Sequence, residues 1–320
     1  MNKKEFLLNQ NVAEFISWAT QFLPGLTIRL RISKKGTGSA VGHAGPGVDK
    51  KICRFSDLIR AYHWRSEWRN ADGVNVFSDD WSSSSKSLAE LSGWLRAEVA
   101  KGSHIGTLQA AKAIVIWGGD RAHLKTPPKG AIPFLEGVGK DLPTYLEESR
   151  SVLTLRTADN ENAGKILQMN AMLTKVHALL ADDGLPIYDS RVAGAISSLV
   201  EKYRQSQGLV WTRVPSVLQF KATDRTNVKR LASKVPGALP KLDYGVINRL
   251  NPKGCVSDWV SAKIRLGWLM EELILKADNQ QNPIVDPAVT IDKSLPSRMR
   301  AFEAGLFMLG FDVACLFNDQ

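Results

Sequence analysis

Apolar residues recur every three or four positions along most of the chain, the spacing that places them on one face of an α-helix. Over residues 3–23 they include Phe6, Val12 and Phe15, and Pro24 then ends the pattern. The same spacing predicts helices over residues 55–68, 87–100, 107–117, 144–153, 160–181, 190–205, 225–234, 242–250, 257–276 and 294–317. We therefore expect a mainly α fold.

One short segment has a different pattern. Residues 26–32 (LTIRLRI) alternate apolar and basic side chains, which is typical of a β-strand with one buried face. Residues 33–48 follow with five glycines and one proline, a composition that favours a loop. The N-terminal part should therefore carry a small β-hairpin and loop element beside its helices.

Residues 125–143 are rich in proline and glycine, and these residues interrupt the helical pattern. We expect this segment to be an irregular linker. It would separate an N-terminal region, residues 1–124, from a C-terminal helical region, residues 144–320, which we expect to be catalytic.

The formal net charge of +10 and the pI of about 9.5 favour a polyanionic partner, nucleic acid before anionic membrane. Residues 1–70 hold 12 Lys/Arg against 5 Asp/Glu, and residues 202–276 hold 14 against 5. Between them, residues 141–201 hold 5 against 9. The two basic regions are either a composite phosphate-binding surface or ordinary solvated helix faces.

Several classes of protein are disfavoured. No apolar run approaches the ~20 residues of a membrane span, and the N-terminus has no apolar core of a signal peptide. The three cysteines lie far apart, and the five histidines form no metal-binding pair, so neither a disulfide framework nor a metal site is indicated. We expect a monomer in the cytoplasm with no cofactor.

Asp189 stands at a boundary between two kinds of structure. Leu185 to Tyr188 should be extended because Pro186 disfavours a helix before it, and a helical pattern begins after Asp189. Aspartate is a preferred N-cap residue, and a cap contributes about 1 kcal/mol. Capping alone would explain this residue.

The wider segment, residues 171–196, resembles the catalytic segment of the helix-hairpin-helix superfamily of DNA glycosylases. The resemblance rests on Pro186, Asp189 and Val192, in the order helix, apolar link, Pro-x-x-Asp and valine on the next helix. The string Pro-Ile-Tyr-Asp-Ser-Arg-Val is also similar to one in bacterial relatives of these enzymes. The resemblance implies a helix-hairpin-helix-like bundle in which the Asp189 carboxylate faces a flipped nucleotide.

Lys175, on the preceding helix, matches the position where bifunctional members of the family place a Schiff-base lysine. Its separation from Asp189, 14 residues, is shorter than the family usually shows, and no glycine-containing hairpin stands immediately before it. The role of Lys175 and any strand cleavage therefore stay open. Arg191 would either grip a phosphate or pair with an acid such as Asp183.

The hypothesis from the sequence is a DNA glycosylase that excises a damaged or modified base from double-stranded DNA. A hypermodified phage base such as glucosylated hydroxymethylcytosine is one expected target, since glycosylases of this superfamily act in antiviral defence. Asp189 is the candidate catalytic carboxylate, and Lys175 is the second catalytic candidate. The candidates for DNA contact are Lys34, Lys35, Arg65, Arg69, Arg191, Lys229 and Arg230, and those for base stacking are Trp64, Trp68 and Tyr188.

Two other hypotheses are alternatives to an enzyme. A non-catalytic DNA-binding protein of the same fold would keep its function without the Asp189 carboxylate. A structural or protein-interaction module would show no salt-dependent DNA affinity.

Overall fold

The structure is a computed structural model, which describes residues 1–33, 47–120, 124–127, 129–156, 160–224, 226–247 and 251–318. Most of these residues are helical, which confirms the mainly α fold. The α-helices are α1 (Lys3–Leu8), α2 (Gln10–Phe22), α3 (Phe55–Arg60), α4 (Trp81–Ala100), α5 (His104–Trp117), α6 (Ala131–Val138), α7 (Leu142–Val152), α8 (Leu173–Leu180), α9 (Ser190–Ser206), α10 (Pro252–Asn279) and α11 (Leu295–Leu309). The strands are β1 (Ile28–Ile32), β2 (Val48–Ile52), β3 (His63–Arg69) and β4 (Asn75–Asp80).

Two antiparallel hairpins supply the β structure. In the first, β1 pairs with β2, with Ile28 opposite Ile52, and the inward side chains of β1 alternate with exposed ones as the LTIRLRI pattern predicts. In the second, β3 pairs with β4, with Arg69 opposite Asn75. The loop between β1 and β2 falls mostly outside the described residues, and it contains the candidates Lys34 and Lys35.

The second hairpin corrects the predicted helix over residues 55–68. That helix ends at Arg60, and β3 begins at His63. The side chains of Trp64, Ser66 and Trp68 alternate inward along β3 with period two. Two buried tryptophans and a serine at this spacing are a strand signal, but it was obscured by the helical spacing just before it.

The segment 125–143 is also more regular than its composition predicts, since α6 lies inside it and α7 begins within it. Pro133 and Pro143 sit in the first turns of these helices, where a missing N–H costs no intrahelical hydrogen bond. Gly130 and Gly139 bound α6 with positive φ angles of 98° and 65°, which glycine adopts without strain.

Three further helix predictions need correction. Within the predicted helix 160–181 only α8 is α-helical, preceded by a 3-10 segment, Asn160–Lys165. The predicted helix 225–234 is reduced to two 3-10 turns, Val228–Arg230 and Ala232–Lys234. Residues 242–247 of the predicted helix 242–250 are not helical, and Val246 forms a parallel bridge with Ala222.

Helices from both sides of the predicted linker pack in one hydrophobic core. Helix α10 contacts α1, α2 and α11, while α9 contacts α2 and α11. On the other flank α4 packs against α5, α7 and α8. Helix α8 also packs against α5, and α10 is hydrogen-bonded to Thr174 of α8 and to Tyr188 just before α9.

Candidate active site

Asp189 is the N-cap of α9, as the sequence predicts. One carboxylate oxygen, Oδ1, accepts hydrogen bonds from the backbone N–H groups of Arg191 at 2.9 Å and Val192 at 3.1 Å. The residue is only 5% exposed, so the cap is buried. The second oxygen, Oδ2, is left to face Lys175.

Lys175 meets that second oxygen from α8. Its Nζ lies 3.8 Å from Asp189 Oδ2, and the two side chains are 8% and 7% exposed. The same Nζ donates a hydrogen bond of 3.0 Å to the backbone carbonyl of Ala171. The structure therefore brings together the two residues for which the sequence predicts catalytic roles.

The charges of this pair are set by their surroundings. Burial would raise the pKa of Asp189, but the positive charges of Lys175 and Arg191 and the two backbone N–H groups outweigh it, so the pKa is lowered. Burial lowers the pKa of Lys175, and the charge of Asp189 opposes that shift. Asp189 is therefore an anion at neutral pH, beside an amine that loses its proton more easily than an exposed lysine.

A cavity of about 150 Å³ opens onto the pair, and five aromatic rings form part of its wall. Lys175, Asp189 and Arg191 supply its polar wall, together with Arg300 and Glu303. The rings come from the loop before β3, from β3, α4, α5 and α11, and they belong to Tyr62, Trp64, Trp81, Trp117 and Phe307. A cavity with aromatic walls and a few convergent charged groups is the usual form of a small-molecule or base pocket.

The extended link before Asp189 is fixed from α10 and α11. Lys263 Nζ, whose pKa burial lowers well below its usual value, lies within hydrogen-bond distance of Pro186 O at 2.5 Å and of the backbone and hydroxyl oxygens of Thr174 at 2.9 and 3.0 Å. Glu303 Oε2 accepts from the N–H of Ile187 at 2.6 Å. These contacts tie α8 to the link, so they set the distance between Lys175 and Asp189.

Sequence reasoning missed these supporting residues. Lys263 is 0% exposed and Glu303 is 6% exposed, and each lies far along the chain from Asp189. Each stands on a helix whose apolar pattern predicts burial, and a charged residue on such a face needs a partner. That mismatch was a signal in the sequence, although it does not name the partner.

Arg191 lies in an aromatic box beside Asp189. Its guanidinium carbon is 4.4 Å from the ring centre of Phe311, 4.7 Å from that of Phe307 and 5.2 Å from that of Trp64. Burial lowers the pKa of Arg191 to about 10, so it is still a cation at neutral pH. It does not pair with Asp183, which instead accepts from Leu155 N, Leu185 N and Thr154 Oγ1.

The other candidates for DNA contact lie in different places. Arg65 and Arg69 are exposed on the outer side of β3. Lys229 is exposed and its Nζ lies 2.8 Å from Asp312 Oδ2. Arg230 is partly buried and donates to Ser190 Oγ at 2.6 Å, which puts it beside the start of α9.

The three candidates for base stacking also separate. Trp64 lines the cavity, and its Nε1 donates to Trp117 O at 3.3 Å. Trp68 is 2% exposed and bonds to Ser87, and Tyr188 is 0% exposed with its hydroxyl donating to Lys221 O. The positions of Trp68 and Tyr188 do not favour contact with a base.

A second chamber of about 340 Å³ adjoins the cavity, since Trp81, Leu88 and Arg300 line both. Its wall is more polar and includes Ser92 and Asp182. In the ranges that the structure describes, no cluster of three or more His, Cys, Asp or Glu residues is arranged to hold a metal ion.

No helix of the described ranges is long and apolar enough to cross a membrane. Comparisons of the chain with models of protein families, with curated proteins and with solved structures gave no match.

Proposed function

We propose that this protein is a DNA glycosylase of the helix-hairpin-helix type, which removes a damaged or modified base from double-stranded DNA. The observation that carries the proposal is the buried pair of Lys175 and Asp189, 3.8 Å apart, on the wall of an aromatic cavity. A base must leave the helical stack to reach such a cavity, at a cost of a few kcal/mol, and the aromatic walls offer it stacking partners in return.

Asp189 would act as the ionised carboxylate near the sugar. When the bond from C1′ to the base nitrogen breaks, its electron pair leaves with the base and positive charge develops on the sugar. A fixed carboxylate stabilises that charge. Water then bonds to C1′ through its oxygen, and the proton that it loses balances the one that the departed base takes up from solvent. The lowered pKa of Asp189 supports this role because the group is ionised before the reaction begins.

Lys175 would serve the same reaction in one of two ways. As a cation it holds the Asp189 carboxylate in place through their close contact. As a free amine, which the burial-lowered pKa favours, it would attack C1′ itself and open the route to strand cleavage. Hydrolysis needs only the first role.

The second chamber supports a bulky base as the substrate. The cavity alone is about 150 Å³, and the adjoining chamber adds space lined by serine, aspartate and arginine side chains. A substituent on the base that carries hydroxyl groups would find hydrogen-bond partners there. A glucosylated hydroxymethylcytosine of phage DNA fits this description, and the enzyme would then act in antiviral defence, as a cytoplasmic monomer.

The DNA backbone would lie across the surface that holds the start of α9. Arg230 is bonded to Ser190 at this helix start, and Lys229 next to it is exposed. Arg65 and Arg69, exposed on β3, would add to this basic surface. Such contacts with phosphates give affinity that falls steeply with salt.

The test compares the wild type with Asp189→Asn and a matched control, Asp80→Asn. Asp80 is the exposed N-cap of α4 and accepts from Ser83 N at 2.7 Å, so both substitutions keep a good cap but only one removes charge from the cavity. Each variant is incubated with ordinary, damaged and phage-modified duplexes, and abasic sites are counted. We expect base release by the wild type and Asp80→Asn, and a loss of at least 100-fold in Asp189→Asn with DNA binding retained.

Two results would point elsewhere. If the wild type binds DNA in a salt-dependent way but forms no abasic sites on any substrate, the protein is a non-catalytic DNA-binding protein. If it shows no salt-dependent affinity at all, DNA is not its partner.

A further inference from the structure

The guanidinium of Arg191 has a buried N–H group that finds no acceptor among the described residues. It is surrounded by the rings of Trp64, Phe307 and Phe311, at 4.4 to 5.2 Å from their centres. Its Nε atom is buried and has no hydrogen-bond partner among the described residues. The side chain lines the cavity beside Asp189.

A buried N–H group without an acceptor is costly, because water satisfies such a group in the unfolded chain. Contact of the guanidinium with aromatic faces returns part of that cost through cation–π attraction. The contact still leaves the buried Nε–H group of Arg191 without an acceptor among the described residues. An acceptor from a ligand in the cavity would complete the arrangement.

The neighbouring charge indicates which acceptor. A phosphate in the cavity would stand next to the ionised Asp189, and like charges at close range repel. Neutral carbonyl or ring-nitrogen acceptors meet no such penalty. The volume of about 150 Å³ matches that of engineered apolar cavities that bind a benzene ring, so a single six-membered ring fits.

We propose that Arg191 reads the extruded base, donating two parallel hydrogen bonds from its planar fork to two adjacent acceptors of a pyrimidine. Cytosine and its 5-substituted derivatives present such a pair in O2 and N3, whereas uracil and thymine carry a hydrogen on N3. The proposal rests on the glycosylase function above and names the class of base that it takes. Arg191 then contacts the base, and not a phosphate of the DNA backbone.

The test uses duplexes that cannot react, each with one 2′-fluoroarabino cytidine or uridine opposite a tetrahydrofuran residue, so that neither base is paired. Affinity is measured by fluorescence anisotropy for wild type, Arg191→Lys and Arg191→Met, beside a duplex that carries tetrahydrofuran alone. We expect the wild type to bind the cytidine duplex about 5- to 150-fold more tightly than the uridine duplex. Both variants should lose this preference and keep the affinity of the wild type for the tetrahydrofuran duplex.

Arg191→Lys makes the test specific, because lysine keeps the charge but lacks the fork. If Arg191 contacts a phosphate instead, Arg191→Met weakens the binding of all three duplexes alike and lowers the slope of log affinity against log salt by about one. Arg191→Lys then keeps the affinity and the salt slope of the wild type. That result would overturn the proposal. An unchanged cytidine preference in both variants also overturns it. Thermal unfolding confirms that each variant is folded.

This readout is separate from base release. If no substrate yields abasic sites yet the cytidine preference depends on Arg191, the enzyme function fails and the recognition role stands. If base release is found but the preference does not depend on Arg191, the recognition role alone fails.

Discussion

Gly118 offers a way to move the Lys175 amine without altering any charge. It ends α5 with φ −67° and ψ −8°, which alanine adopts without strain. A Cβ added there would lie 2.7 Å from Lys175 Cδ, 3.0 Å from Met172 Sδ and 3.1 Å from Lys175 Cε. Ordinary contact begins at 3.4 Å, so the lysine would have to shift by about 0.7 Å (3.4 − 2.7) and the methionine by about 0.4 Å (3.4 − 3.0). Its Nζ would then leave the position 3.8 Å from Asp189 Oδ2.

We expect Gly118→Ala to slow base release by about 10- to 100-fold, because a displacement approaching 1 Å in a catalytic group costs up to that much. The cost in folding free energy should be about 1–2 kcal/mol, the lower part of the range for overpacking, because the far end of a lysine can adjust. Single-turnover assays give the rate and urea unfolding gives the stability. Gly93→Ala is the matched control, since nothing lies within 4 Å of its added Cβ.

Gly118 itself lines the cavity, so the added methyl could act by blocking the base instead. A double-mutant cycle with Lys175→Met separates the two causes. If Gly118→Ala acts through the amine, it causes no further loss in the Lys175→Met background. A full second loss in the double variant would assign the effect to blockage, and a wild-type rate for Gly118→Ala beside a slow Lys175→Met would refute the steric reasoning.

Three further predictions concern stability. Burial lowers the pKa of His177 to about 3 from 6.5, so the unfolded chain takes up a proton below pH 6.5 that the folded chain does not, and the free energy of unfolding falls by about 1.4 kcal/mol per pH unit. His177→Leu should weaken the pH dependence of the urea midpoint between pH 6.5 and 5, and parallel profiles of the variant and the wild type would contradict this. Gly310→Ala places a Cβ 2.0 Å from the backbone oxygen of Arg191 and should cost about 3 kcal/mol or more in thermal unfolding, whereas an unchanged melting temperature would contradict that close approach. Arg204→Met leaves Glu201, which is 0% exposed, without its ion pair, so the free energy of unfolding should fall by about 3–5 kcal/mol, and adding Glu201→Leu should restore part of it. A loss below 1 kcal/mol in denaturant titration would contradict a stabilising role of the pair.

The cap at Asp189 could be predicted because its signals are local. Pro186 fixes an extended approach, aspartate suits an N-cap, and the helical pattern resumes at once. The approach of Lys175 is also nearly local, since the rest of α8 and eight residues, 181–188, separate it from Asp189. The second hairpin was missed because the apolar residues of α3 and β3 lie next to each other in the sequence, and one helical period fits both up to Trp64.

The cavity could not be predicted in this way, because its walls come from segments far apart in the chain. Trp117 and Phe307 meet at the site only when α5 and α11 pack around α8 and α9, and an apolar pattern predicts burial without naming the neighbour. The same holds for Lys263 and Glu303, whose polar groups are tolerated in the core because the link before Asp189 supplies hydrogen-bond partners for them.

The charge state of Asp189 joins the local and the distant features. A cap on an exposed helix would be hydrated, and its carboxylate would do no more than bind two N–H groups. Here the distant rings exclude water from the cap, which by itself would favour the protonated acid, and Lys175 and Arg191 restore the anion. The two cations, together with the two backbone N–H groups, therefore keep the buried carboxylate charged. Removing either cation should therefore raise the pKa of Asp189. The pH below which base release fails should then move upward in both Lys175→Met and Arg191→Met. A pH profile that shifts in neither variant would show that Asp189 owes its charge to the helix start alone.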